Sequence, residues 1–220
     1  MTKGERDFNN FLLTPLDMPM EGKYSMPMIK GMVMKNFKAP ENFVEFHSAT
    51  KVPMEKRKDT VVHFFTPDFL FERVWYHPNK NLEFLRQFKA VCSPNFSQYT
   101  DMPVAMQIWN SYRSKWLSAW WQMNGLRVIP TVNFSDADSF EYTFDGLPHE
   151  SLVIISSLGA EKEVAARENF FNGYHKMLEV LEPKQILFYG NKPHWLEGKD
   201  ANVLFIAPAY KERFGKLKEN

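Results

Sequence analysis

A chain of 220 residues with 44% apolar, 24% charged and 15% aromatic residues has enough material for one substantial core. Its 27 basic and 26 acidic side chains leave a formal charge of +1, which excludes the broad basic excess needed for strong, sequence-blind binding to DNA. A single cysteine, Cys92, excludes an internal disulfide and a cysteine-rich zinc site, and its apolar neighbours make a buried, inert thiol the expectation. The first residues carry Lys, Glu, Arg and Asp without an apolar core, unlike a signal peptide. No apolar run approaches the roughly 20 residues of a membrane span, so no membrane partner and a cytoplasmic location are expected.

In chain order, residues 1–24 read as a lead-in, with a short apolar piece at Phe11. Tyr24-Ser-Met-Pro-Met-Ile-Lys-Gly-Met-Val-Met follows as an extended segment or first strand, and residues 51–59 as a charged loop. Val61-Val-His-Phe-Phe is the first clear strand. Thr66-Pro-Asp then spells a helix start, with an N-cap hydroxyl, proline at the first position and an acid in the first turn. Short helices are expected over 69–76 and 82–88. Residues 90–132 read as a strand, a polar loop, a long helix stopped by Gly125, and a second strand, which is a βαβ unit with its implied parallel pair. Strands at 151–157, 185–190 and 202–207 flank a helix over 161–181, and a charged tail occupies 211–220. The alternation predicts one α/β domain over 25–210, a mostly parallel sheet of about six to seven strands that is either open or an incomplete (β/α) barrel.

On the central helix Ala105, Ile108, Trp109, Tyr112, Trp116, Ala119, Trp120 and Met123 recur at helical spacing and predict the buried stripe. Gln107, Ser111, Ser114, Lys115, Ser118 and Gln122 fall opposite, and Leu117 and Trp121 lie on the flank, where an exposed Trp would mark a partner surface. On the second long helix Val164, Phe170, Phe171, Tyr174, Met177, Leu178 and Leu181 form the buried row, with Arg167 inside it. A guanidinium there requires a carboxylate partner or an anionic ligand.

If the strands run parallel, the loops after them meet on one edge, where ligands of open α/β sheets bind. That edge gathers Asp68, Ser93, Asn95, Ser97, Tyr99, Arg113, Asn133, Ser156, Arg167 and Lys192 as ligand-binding candidates, with Asp101 and Asp136 as candidate catalytic carboxylates. The alternative for each is local: Thr100 or Asp101 capping the central helix, Asp136 or Asp138 shaping a turn. Oxygen ligands from Asp68, Asp101, Asp136 and Asp138 would suit a divalent cation such as magnesium or manganese, although their spacing matches no metal motif. Zinc-protease, phosphate-loop and nucleophile-elbow motifs are all lacking from the sequence.

Tyr24-Ser-Met-Pro, Val62-His-Phe-Phe, Phe71-Glu-Arg-Val-Trp, Ser93-Pro-Asn-Phe-Ser-Gln-Tyr-Thr-Asp-Met-Pro, Gln107-Ile-Trp-Asn-Ser-Tyr-Arg and Val128-Ile-Pro-Thr-Val together carry a resemblance. The chain resembles a domain-of-unknown-function family of Gram-positive bacteria, their phages and mobile elements. The likeness implies a phage or mobile-element protein in the cytoplasm of a bacterial host, and brings no activity with it. Three roles stay open. The chain is an accessory protein of nucleic-acid metabolism or replication, binding nucleic acid or a replication partner. It is a hydrolase-like or small-ligand-binding protein using Asp101, Asp136 and Arg167. Or it inhibits a host protein through Leu117 and Trp121.

Overall fold

The computed structural model describes residues 18–32, 40, 42–160, 163–196 and 202–208. The early lead-in with Phe11, the end of the extended segment at Met34, the helix start at Glu161 and the tail beyond Lys211 lie outside the described residues.

Seven strands run parallel and follow one another in space as they do in sequence. A four-stranded ladder, β3 (Asn42–Glu45), β4 (Thr60–His63), β5 (Ala90–Cys92) and β6 (Val128–Ile129), is followed by a three-stranded one, β7 (Leu152–Ser156), β8 (Gln185–Tyr189) and β9 (Val203–Ile206). Thr131 bridges in parallel to Ile154, and the Val132 N–H donates to the Ile154 carbonyl at 2.9 Å, which joins the two ladders. The connections carry helices α1 (Met54–Arg57), α2 (Arg73–Tyr76), α3 (Leu82–Leu85), α4 (Val104–Met123), α5 (Phe140–Thr143) and α6 (Val164–Leu181).

Sequential order has a physical consequence. Right-handed crossovers between neighbouring strands place every helix on the same face of the sheet. The other face must then be buried by the sheet itself, and it curls. Side chains alternate along each strand accordingly. Phe43, Val61, Phe65, Ala90, Cys92, Ile129, Leu152, Ile154, Leu187, Tyr189, Leu204 and Ile206 form one inner core to which all seven strands contribute. Their neighbours Val62, Val91 and Val128 face an outer core with α4, whereas Val153, Ile155, Ile186 and Phe188 face another with α6. This is the incomplete-barrel form of the expected parallel α/β fold. Among the described residues no ladder joins β9 to β3.

Several local expectations change. Strand β3 is additional, its four residues too short and too mixed in pattern to signal a strand alone. The segment at Tyr24 is the turn of an antiparallel hairpin, β1 (Met20–Glu21) with β2 (Met26–Pro27), rather than a strand of the parallel sheet. The helix expected over 69–76 is a 3-10 turn, Asp68–Leu70, followed by α2.

The face of α4 is the largest correction. Gln107, Asn110, Ser111, Arg113, Lys115 and Ser118 are buried, while Trp109 and Met123 of the expected core stripe are 44% and 51% exposed. Trp116 and Ala119 are buried as expected. Loop carbonyls covering the helix need donors, which an apolar face cannot supply. Ser114 Oγ donates to the Pro94 carbonyl at 2.6 Å, Asn110 Nδ2 to the Ser97 carbonyl at 2.6 Å, and Gln107 Nε2 to the Met102 carbonyl at 2.9 Å. Leu117 and Trp121 are fully buried in the outer core, which removes them as a partner surface. On α6 the buried row is Phe170, Tyr174, Met177 and Leu181; Arg167 is exposed because the first turns of the helix lie beyond that row.

His63 is the one imidazole in this inner layer. It is fully buried, 4.5 Å from the Tyr189 ring and stacked with Phe65, and its Nε2 has no partner among the described residues. Burial, with a smaller contribution from His47, lowers its pKa to about 3. The folded state therefore holds it neutral while the unfolded chain takes up a proton below about 6.5, so stability is lost as pH falls through that window. We expect the urea midpoint to drop between pH 6.5 and 4 by an amount worth on the order of 3 kcal/mol. His63→Phe should flatten that part of the profile; an unchanged slope would rule out His63 as its source.

Candidate functional site

The strand ends after β4, β5, β6 and β7 open into a cleft of about 840 Å³ that also reaches the start of α6. Phe65, Val132, Phe134, Ile155 and Phe170 give it apolar walls. That volume lies within the range of small-molecule sites.

One ion-pair cluster fixes the loop that builds half of the wall. Arg113 on α4 is buried, with its guanidinium 3.6 Å over the Phe96 ring. It donates to Glu72 at 3.0 Å and to Asn110 Oδ1 at 2.9 Å, and lies 3.8 Å from the Asp68 carboxylate. Asp68 in turn accepts from the Ser97 backbone N–H at 3.1 Å and from Ser97 Oγ at 2.9 Å. The loop after β5 is thereby clamped to the loop after β4 and to α4, which presents Asn95, Ser97 and Tyr99 to the cleft. Asp68 and Arg113 are occupied by this clamp rather than lining the cleft.

Of the other candidates, Asp101, Asn133 and Ser156 also line it. Asn133 Nδ2 holds the Phe96 carbonyl at 2.8 Å, and Ser156 Oγ accepts from the Leu158 N–H at 3.2 Å. Ser93 is fully buried beneath the loop. Asp136 is not in the cleft wall; its charge, after burial, is a cause of the raised pKa of Tyr142. Arg167 lines a separate shallow hollow with Phe171 and Trp195, and Lys192 lies 5.0 Å over the Phe205 ring. The pairing of Asp101 with Asp136 and Arg167 expected for hydrolysis is therefore not assembled. Among the described residues no group of three or more His, Cys, Asp or Glu is arranged to hold a metal, so Asp68, Asp101, Asp136 and Asp138 do not form a cation site.

Capping does not account for the rim either. Pro103 occupies the N-cap of α4 and Pro67 that of the 3-10 turn, neither with a side-chain cap bond. Asp101 and Thr66 are thus released from the roles that local sequence suggests. Thr66 lines the cleft, while its Oγ1 is buried beneath the wall, with no hydrogen-bond partner among the described residues. Gln98 is the residue that sequence reading passed over. It is buried, its Oε1 has no partner among the described residues, and it borders both the cleft and a polar cavity of about 10 Å³ behind it, one water-site in size. The only sequence signal for it was its place between Ser97 and Tyr99.

Lys115 borders the same small cavity. It is buried, donates to Ser111 Oγ at 2.5 Å and to the Tyr142 carbonyl at 3.3 Å, and burial lowers its pKa to about 7 despite Asp145 and Glu21 nearby. Cys92 behaves as expected, buried and free, with burial driving its thiol pKa far up.

A family model described as "Domain of unknown function (DUF4417)" matches residues 18–206. The chain belongs to this family. Two curated relatives are phage proteins: the "Gene 1 protein" of Mycobacterium phage L5 is 40% identical over 133 residues, covering 60% of this chain and 58% of that protein. The "Gene 1 protein" of Mycobacterium phage D29 is 38% identical over 129 residues, covering 59% and 48%. The chain thus spans about half the length of the curated relatives it matches. No solved structure matches it significantly. The family match reaches every strand of the curled sheet, and among the described residues no helix is long and apolar enough to cross a membrane.

Two outcomes follow from this geometry. The unfolded chain holds the Lys115 proton to a higher pH than the folded one, so stability should rise with pH from about 7 toward 10.5, by on the order of 2 kcal/mol between pH 7 and 9. Lys115→Met, followed by urea titration at both pH values, should remove that rise. Gly173 on α6 leaves room for Phe134, since a Cβ there would sit 2.1 Å from the ring. Gly173→Ala should push Phe134 toward the cleft and destabilise the fold by roughly 1–3 kcal/mol, read by thermal unfolding.

Proposed function

We propose that this DUF4417 protein is a phage accessory protein that binds a small organic ligand in the rim cleft, and that the ligand belongs to nucleic-acid metabolism rather than being a nucleic-acid strand. The observation that carries the reading is the ligand-sized cleft, with apolar walls and the polar side chains of Asn95, Asp101 and Ser156 along it; beneath that wall Thr66 Oγ1 and Gln98 Oε1 are buried without hydrogen-bond partners among the described residues. Buried polar groups are almost always hydrogen-bonded, and leaving one unmade is expensive in a finished fold. A ligand whose binding opens the wall to them would complete them. The phage relatives support the biological setting. The near-even balance of basic and acidic residues speaks against unaided binding to duplex DNA.

Thr66→Val separates ligand binding from folding, because it removes the hydroxyl while nearly preserving shape. The free variant should melt at or above the temperature of the parent protein. A small molecule that co-purifies with the parent, detected by native mass spectrometry, should be lost or at least tenfold depleted in the variant. Equal occupancy in the two proteins would remove the hydroxyl from the site. Gel shifts at low salt should show no retained duplex; salt-sensitive retention would favour direct nucleic-acid binding instead.

A further inference from the structure

Behind the cleft wall lies the much smaller polar cavity, bordered by residues of α4, of α5 and of the loops after β5 and β6. We propose that it is the site of one resident water molecule, held by Lys115 and Asn133, which ties the polar side of α4 to the two loops that carry the cleft. The site is independent of what the cleft binds. Its space of about 10 Å³ admits a single water and is far too small for an organic ligand.

The bonds already made by the bordering side chains define what is left for an occupant. An ammonium has three donors. Lys115 directs two of them to Ser111 Oγ at 2.5 Å and to the Tyr142 carbonyl at 3.3 Å, and the third meets no acceptor among the described residues. Asn133 donates from Nδ2 to the Phe96 carbonyl at 2.8 Å, which leaves Oδ1 without a donor among the described residues. Thr131 Oγ1 donates to the Ser93 carbonyl at 2.9 Å and keeps a lone pair free to accept. Thr143 borders the same space, and its buried Oγ1 has no partner among the described residues. Spare donors and spare acceptors thus stand around one small volume, and buried polar groups are rarely left in that state.

That mixture selects the occupant. A cation would meet the Lys115 ammonium, and a halide would meet the lone pairs of Asn133 and Thr131. Water accepts from the ammonium and donates to the oxygens at once, within the two to four partners a buried water ordinarily has. The bridge joins a helix to loops remote from it in sequence, and so adds to the direct bonds by which Ser114 and Asn110 hold the loop after β5.

The test is diffraction from crystals of the full chain grown in sodium bromide, at a resolution that shows ordered water, with anomalous data collected at the bromine edge. A single peak should lie at about 2.7–3.2 Å from both Lys115 Nζ and Asn133 Oδ1, without anomalous signal. Lys115→Met removes the donor and turns an apolar chain of similar length into the same space, so the peak should be lost. In solution, oxygen-17 relaxation dispersion should then count one long-lived water fewer than in the parent protein. An anomalous peak at the site overturns the proposal in favour of a halide. Absence of any peak in the parent overturns it, as does a water that stays in place in Lys115→Met. Should that variant fail to fold, the parent crystals alone still decide between water, halide and neither.

Discussion

The curled sheet depends on a shared inner core. Seven strands lie in sequence order, so their helices all fall on the outer side, and the inner side chains have only each other to pack against. Removing that much apolar surface from water is the main favourable term, at roughly 25 cal/mol per Å² buried. It also dictates where the loops go. Parallel strands drawn around a common interior bring their carboxyl ends to one mouth, and residues as distant in sequence as Thr66, Asp101, Asn133 and Ser156 come to line the same cleft.

The second organising feature is the polar side of α4. A helix in a globular fold ordinarily turns its apolar stripe inward and its polar residues to water. Here both sides are covered. The aromatic side meets Trp75, which stands 5.5 Å from Trp116 edge to face, while the polar side holds the loop after β5 by its carbonyls. Arg113 completes the arrangement by tying Glu72, Asp68 and Asn110 around one guanidinium. A hydrogen-bonded helix face of this kind makes the loop part of the framework, so that cleft residues such as Asn95 and Tyr99 are carried on a braced segment. The clamp therefore takes Asp68, Glu72 and Arg113 out of the rim, and leaves Asn95, Tyr99, Asp101 and Ser156 to line the open space.

Much of this was legible in the chain. The strand–helix alternation, the stop at Gly125, whose φ is +82°, and the apolar runs at β4, β7 and β8 gave the parallel α/β class directly. The motifs around Ser93 and Gln107 placed it near a family that the match over residues 18–206 then assigned. Other features were not legible for identifiable reasons. Strand β3 is four residues long, and its pairing comes from β4 rather than from its own pattern. Periodicity distinguished two faces of α4 but could not say that the polar one would be covered, because the covering loops are remote in sequence. Arg167 shared the helical phase of Phe170, yet phase says nothing about how far a helix extends past its packing partners.

By itself the sequence determined which way the elements alternate, that the strands run parallel, and hence on which edge the connecting loops gather. Those properties follow from local periodicity and the handedness of the crossovers, both written in short stretches of chain. Tertiary structure alone decided that the sheet closes toward a barrel and that Asp68 and Arg113 brace a loop instead of facing a ligand. It also decided that Thr66 and Gln98 end with polar atoms buried and unmatched among the described residues. These outcomes depend on partners tens of residues away, and a side chain's hydrogen-bonding state is set by what folds over it rather than by its neighbours along the chain.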